Sequence, residues 1–206
     1  MEAQEYSGST MANAIRGNGN GWTFSAADFG RLAGRNTVDS GLHRLHKRGK
    51  IRRVMRGIYD YPRYSELLGQ HLSPDPEMVA RALARKFGWR IQLNGAAAQN
   101  LLGLSTQVPA KIVYLSDGPS RRYRVGATEI SFVHLPAKEA GFKLRESSLI
   151  VQALKAFGKG RLTPEIVAKV RAWLKPELRA KVLADTRTAT GWVYKAIREI
   201  AREDAQ

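Results

Sequence analysis

The 206-residue sequence contains no cysteine. That excludes a disulfide framework, a Cys-ligated zinc site, an iron–sulfur cluster and a thiol nucleophile, and it fits a reducing compartment. Long hydrophobic runs are also missing, and nothing approaches the ~18–20 consecutive apolar residues of a membrane span. The first six residues are acidic and polar, without the basic-then-apolar order of a signal peptide. The expectation is a cytoplasmic protein with no membrane partner. Acidic side chains are scarce: 18 Asp and Glu stand against 34 Lys and Arg, a formal charge of +16. Such a surplus calls for a polyanion, and nucleic acid is the commonest one. Hydrophobic residues at 43% and charged residues at 25% are ordinary globular values, so wholesale disorder is not expected.

Several catalytic patterns are absent as well. A metal nuclease of the restriction type needs an acid followed by acid-x-Lys, the carboxylates for the metal and the lysine for the attacking hydroxide. No Glu-x-Lys or Asp-x-Lys occurs; the nearest are Glu177-Leu178-Arg179 and Asp185-Thr186-Arg187. There is no phosphate-binding loop motif and no Gly-x-Ser-x-Gly elbow. Gly17-Asn18-Gly19-Asn20-Gly21 lacks the preceding strand and the spacing of a dinucleotide fingerprint, and reads as a turn. His43 and His46, three apart, could clip a metal, but the sequence puts no third ligand in reach. No enzyme, metal or cofactor is expected.

The densest positive charge is local. His43 to Arg56 carries Arg44, Lys47, Arg48, Lys50, Arg52, Arg53 and Arg56 with no acid, whereas an ordinary solvated face mixes both signs. Around it, a short helix is expected over Ser9–Arg16, then an extended Trp22–Phe24. A capped helix should follow from Ser25 to about Ala33, with Phe29 and Leu32 inward and Gly34 as a left-handed stop. A second helix should open at Asn36-Thr37-Val38-Asp39 and run to about Arg48. Val38, Leu42 and Leu45 fall on its inner face, and Asn36, Ser40, His43, Arg44 and Lys47 on the other. Ile51 to Tyr61 suggests a hairpin turning at Arg56-Gly57.

Two helices with a tight turn, the second basic on its outer side, followed by a hairpin, make a winged helix-turn-helix. In that reading the second helix enters the major groove of double-stranded DNA. Ser40, His43 and Arg44 face base edges, and Arg44 suits guanine N7 and O6. Thr37 meets a phosphate at the helix start, while Lys47 and the wing residues Arg52, Arg53 and Arg56 supply backbone attraction.

Beyond the wing, Glu77–Phe87 reads as a helix with Met78, Val79, Ala82, Leu83 and Phe87 buried. Asn94 caps a small-residue helix over 95–102, whose alanines permit close packing. Lys111–Ser116 and Glu129–His134 are the best strands, with a turn and a second basic cluster (Arg121, Arg122, Arg124) between them. Helices are expected over 147–157, from Thr163-Pro164-Glu165, after Lys175-Pro176-Glu177, and from Thr190 to about Glu203. The fold class is therefore α+β: an N-terminal winged helix-turn-helix over 1–64, then a mixed α/β region with C-terminal helices over 65–206.

The order of these features resembles a known family. Lys47-Arg48-Gly49-Lys50-Ile51 and Arg53-Val54-Met55-Arg56-Gly57-Ile58-Tyr59 close the wing. The segment Asn94-Gly95-Ala96-Ala97-Ala98 with Leu101-Leu102-Gly103-Leu104 follows, and then the strands 111–116 and 129–134. Over residues 20–135 this succession resembles the AbiEi-type antitoxins of type IV toxin–antitoxin systems, in their DUF6088-like branch. The resemblance implies a repressor that binds repeats in its own promoter and counteracts a nucleotidyltransferase-like toxin. It carries the DNA role to Thr37, Ser40, His43, Arg44, Lys47, Arg52, Arg53 and Arg56, and nominates no residue for the antitoxin role. The alternative is a plain winged-helix regulator whose C-terminal region senses a ligand or dimerises.

Overall fold

Helix α1 (Glu2–Gly17) ends at the glycine-rich turn, and Met11 and Ile15 on its inner face are buried. The structure, a computed structural model, describes residues 2–107, 111–136 and 141–202, with side chains from Thr10 onward. After α1 come β1 (Thr23–Phe24), a 3₁₀ turn (Ala26–Phe29), α2 (Arg35–Lys47), β2 (Arg52–Met55) and β3 (Ile58–Asp60). Next are β4 (Tyr64–Ser65), β5 (Gln70–His71), α3 (Pro76–Phe87), β6 (Ile91–Leu93) and α4 (Gly95–Leu101). Then follow β7 (Ile112–Ser116), β8 (Arg121–Val125), β9 (Thr128–His134) and α5 (Arg145–Phe157). A second 3₁₀ turn (Lys159–Arg161), α6 (Pro164–Trp173), α7 (Pro176–Asp185) and α8 (Gly191–Ala201) complete the described chain. The class is α+β. Among the described residues no helix is long and apolar enough to cross a membrane.

The chain divides into two compact units, residues 1–89 with 123–130, and residues 90–122 with 131–206. In the first, Met11, Ile15, Phe24, Phe29, Val38, Leu42 and Ile51 share one core. Aromatic rings pin it together: Phe24 stacks on Trp22 with centroids 4.7 Å apart and meets Phe29 edge-on at 5.5 Å. Glycine at position 41 brings α1 and α2 close, since a Cβ there would sit 3.0 Å from Met11 Sδ. The sheet runs β1-β3-β2, all antiparallel. Its β2–β3 register shifts between Arg53 and Met55, and such a bulge is why the sequence shows no clean apolar alternation there.

The first unit runs past Tyr64 to Trp89 because α3 packs on it. Arg85 Nε donates to Asp28 Oδ1 at 2.5 Å and its Nη2 to the Thr23 carbonyl at 2.7 Å. Asp75 caps α3 and Gly88, at φ 70°, ends it. Its buried residues are Val79, Ala80, Ala82, Leu83 and Ala84, while Phe87 is exposed. The helix expected over 26–33 is one 3₁₀ turn, and Leu32 lies on the surface. The capping box forms, with the Ser25 amide donating to Asp28 Oδ2 at 2.8 Å. Glycine at 30 and again at 34 then gives the segment little helical propensity to propagate. Gly34 is no left-handed stop: at φ −62° and ψ 156° it is the extended N-cap of α2, which therefore starts at Arg35.

The four-stranded sheet has the order β6-β7-β9-β8. In the second unit, helices α4 to α8 enclose an apolar core built on Leu149, Ile150, Leu154, Val170, Leu174, Val193, Ile197 and Ile200. Asn94 caps α4 by accepting from the Ala97 amide at 3.0 Å, and Thr163 caps α6 with Pro164 in its first turn. The 121–124 arginines lie along strand β8 rather than in the turn expected there. The far end of the last expected helix, Glu203, lies outside the described residues.

Candidate nucleic-acid interface

Helix α2 has 13 residues, about 20 Å at 1.5 Å per residue. Val38 and Leu42 are buried on its inner side. On the outer side Ser40, His43 and Lys47 are exposed, and Thr37 and Arg44 are half-buried at the margins. The one acid of the helix, Asp39, flanks this face and is neutralised by Arg35, whose Nε lies 2.9 Å from Asp39 Oδ2. No side chain caps the helix and no acid sits in its first turn. The sequence-read residues of α2 thus share one cationic or neutral face.

The hairpin residues part company. Arg53 and Arg56 are exposed. Arg52 is not available in the same way. Its Nε donates to Asp60 Oδ1 at 3.0 Å, and its Nη2 to Asp60 Oδ2 at 2.5 Å and to the Leu72 carbonyl at 3.0 Å. Asp60 is 1% exposed, so a counter-charge is obligatory there. Arg52 therefore holds the sheet together. The sequence alone gave no signal for this, because the pairing depends on the register Arg52↔Asp60.

One cation outside the expected set joins the hairpin turn. Lys86, near the end of α3, donates from Nζ to the Arg56 carbonyl at 3.2 Å. A Cβ at Gly57 would lie 2.8 Å from the same Nζ. Burial, with Arg35 and Arg56 close by, pushes the Lys86 ammonium below its ordinary value. Like charges gathered at one spot favour an incoming anion. Sequence reading missed Lys86 because it stands 30 positions from Arg56 on a helix read as pure packing.

His46 and Asp185 make structural contacts. His46 Nδ1 lies 3.3 Å from the Ile51 carbonyl. Among the described residues no group of three His, Asp or Glu could hold a metal ion. Asp185 accepts from the amides of Lys143 and Leu144, each at 3.0 Å.

A family model, described as a family of unknown function (DUF6088), matches residues 10–182. The chain belongs to the DUF6088 family. That match takes in all of α2, the β2–β3 hairpin and Lys86. No curated protein matches this DUF6088 chain. Among solved structures it is similar to the crystal structure of RV2827C protein from Mycobacterium tuberculosis. That similarity covers 98% of this chain and 76% of that one, at 17% identity and a TM-score of 0.42.

Proposed function

We propose that the first unit is a winged helix-turn-helix that binds double-stranded DNA, with α2 in the major groove and the β2–β3 turn as its wing. The observation that carries this reading is the outward face of α2. Ser40, His43, Arg44 and Lys47 line it without an uncompensated acid, and Arg53, Arg56 and Lys86 extend the cations beside it. A helix fits the major groove, and flanking cations fix it through phosphates. Arg44 is the base-reading residue; Lys47, Arg53, Arg56 and Lys86 are the phosphate contacts. The resemblance to AbiEi-type antitoxins supports the wider role: a repressor of its own operon that counteracts a nucleotidyltransferase-like toxin.

The test is a gel-shift titration on the DNA immediately upstream of its own gene, against excess random duplex, with Arg44→Ala, Lys47→Ala beside the wild type. Retention that survives the competitor and disappears in the variant supports promoter reading. Equal loss on both DNAs as salt rises would leave phosphate attraction alone, and the repressor reading would fall. Rescue of growth when the protein is co-expressed with a neighbouring nucleotidyltransferase-like protein tests the antitoxin half.

A further inference from the structure

At the C-terminal end of α2, away from the wing turn, lies an open groove of about 650 Å³. Its walls come from three places. His46 ends α2, Lys50 stands in the turn before β2, and Tyr64 and His71 face each other on the β4–β5 hairpin, with Tyr61 and Asn20 beside them. No carboxylate lines it. Tyr64 is 55% exposed, and its ring meets His71 edge-on at 5.3 Å. The hairpin's stance is fixed by Arg52, which ties Asp60 of β3 to the Leu72 carbonyl just past β5. The Leu72 amide in turn donates to the Arg63 carbonyl at 2.8 Å.

We propose that this groove is a second DNA contact, seating the sugar–phosphate backbone of the same duplex that α2 reads. The inference rests on the winged-helix reading and deepens it. The donor set suits a phosphodiester: an ammonium, two phenol hydroxyls, an amide and imidazoles, with aromatic rings to pack against deoxyribose. Its placement suits it too. The Arg56–Lys86 pair lies toward Arg35, where α2 begins, and the groove lies at His46, near where it ends. Arg52 also lines the groove; its bonds to Asp60 and the Leu72 carbonyl hold the hairpin in place.

The experiment is a titration of the full chain with the upstream duplex over a range of KCl concentrations. Four proteins are compared: wild type, the Lys50→Ala, Tyr64→Ala double variant, the Arg44→Ala, Lys47→Ala double variant, and His71→Asn. Circular-dichroism melting of each confirms folding, and His71→Asn provides a second groove variant that removes the imidazole while keeping a polar side chain. The expected result is about a tenfold weaker affinity for the Lys50→Ala, Tyr64→Ala protein, a salt slope shallower by about one, and retained preference for the upstream DNA. Groove variants that bind like wild type would overturn the proposal while leaving the α2 reading intact. Failure of the wild type to prefer the upstream DNA would overturn the α2 reading itself. A third arm adds adenosine monophosphate at millimolar concentration. Unchanged duplex affinity in the Lys50→Ala, Tyr64→Ala protein, together with adenosine monophosphate binding to wild type that this variant loses, would assign the site to free nucleotide and overturn the backbone assignment.

Discussion

At the scale of single residues, neighbours in sequence have opposite duties. Arg52 and Arg53 are adjacent and equally basic, yet the pleat sends one to Asp60 and the other to solvent. Removing Arg52 leaves a carboxylate that is 1% exposed without its partner. Arg52→Ala should therefore cost about 3 kcal/mol in urea unfolding. Arg53→Ala should change stability by less than about 0.5 kcal/mol, while weakening DNA retention severalfold in the gel-shift assay. Equal stability of the two variants would contradict the pairing. Asp185 gives a pH signature. Burial opposes its charge, but the amides of Leu144 and Lys143, with the Ser147 hydroxyl and the Lys143 charge, outweigh it and hold the carboxyl below its ordinary value. Asp185 thus satisfies the two backbone amides that lead into α5. A depressed folded-state value adds stability above the unfolded carboxylate range of about 3.9, and that stability fades as pH falls through the folded value. Asp185→Asn should thus lower the urea midpoint at pH 7, and the gap from wild type should narrow toward pH 3.

At the scale of elements, α4 lies close against α5 in the second unit. A Cβ on Gly95 would stand 2.4 Å from Ala156 Cβ and 2.9 Å from the Gln152 carbonyl. In an isolated helix Gly→Ala gains about 1 kcal/mol. Here Gly95→Ala should instead destabilise by about 1–3 kcal/mol, because the backbone of α5 must move. Adding Ala156→Gly should recover part of that loss, and a double-mutant cycle in urea reads the coupling. The sequence announced this helix through Asn94 and the alanines, but it did not single out Gly95, since a close approach is a property of two elements. The same limit explains the other differences. Caps are local, so Asn94, Thr163-Pro164 and Gly88 marked their helices correctly. The β4–β5 hairpin was not anticipated, because its strands are two residues each and its tip, Leu67 and Leu68, is exposed. No apolar alternation is needed for so short a pair; the tie from Arg52 to Leu72 helps to hold it.

At the scale of the whole molecule, the charge surplus raises the expectation of a polyanionic partner but does not say how much of the charge would take part. The +16 surplus is spread along the chain, whereas the proposed interface draws on a few cations of the first unit. Lys47 lies on the outer face of α2, Arg53, Arg56 and Lys86 beside it, and Lys50 in the groove. These two pictures differ in a measurable exponent. Each neutralised phosphate of B-DNA contributes about −0.9 to the slope of log Kobs against log salt. Five contacts give a slope of about −4 to −5 per protomer, and diffuse use of the whole surplus would give about −14. Fluorescence anisotropy of a labelled upstream duplex between 50 and 300 mM KCl, a range on the order of ordinary assay salt, separates them. A slope near −4 to −5 that drops by about one in Lys86→Ala places the wing-side grip at Lys86. A slope far steeper, indifferent to Lys86, would mean that the protein coats DNA with its overall charge, and the specific face of α2 would lose its claim as the reader.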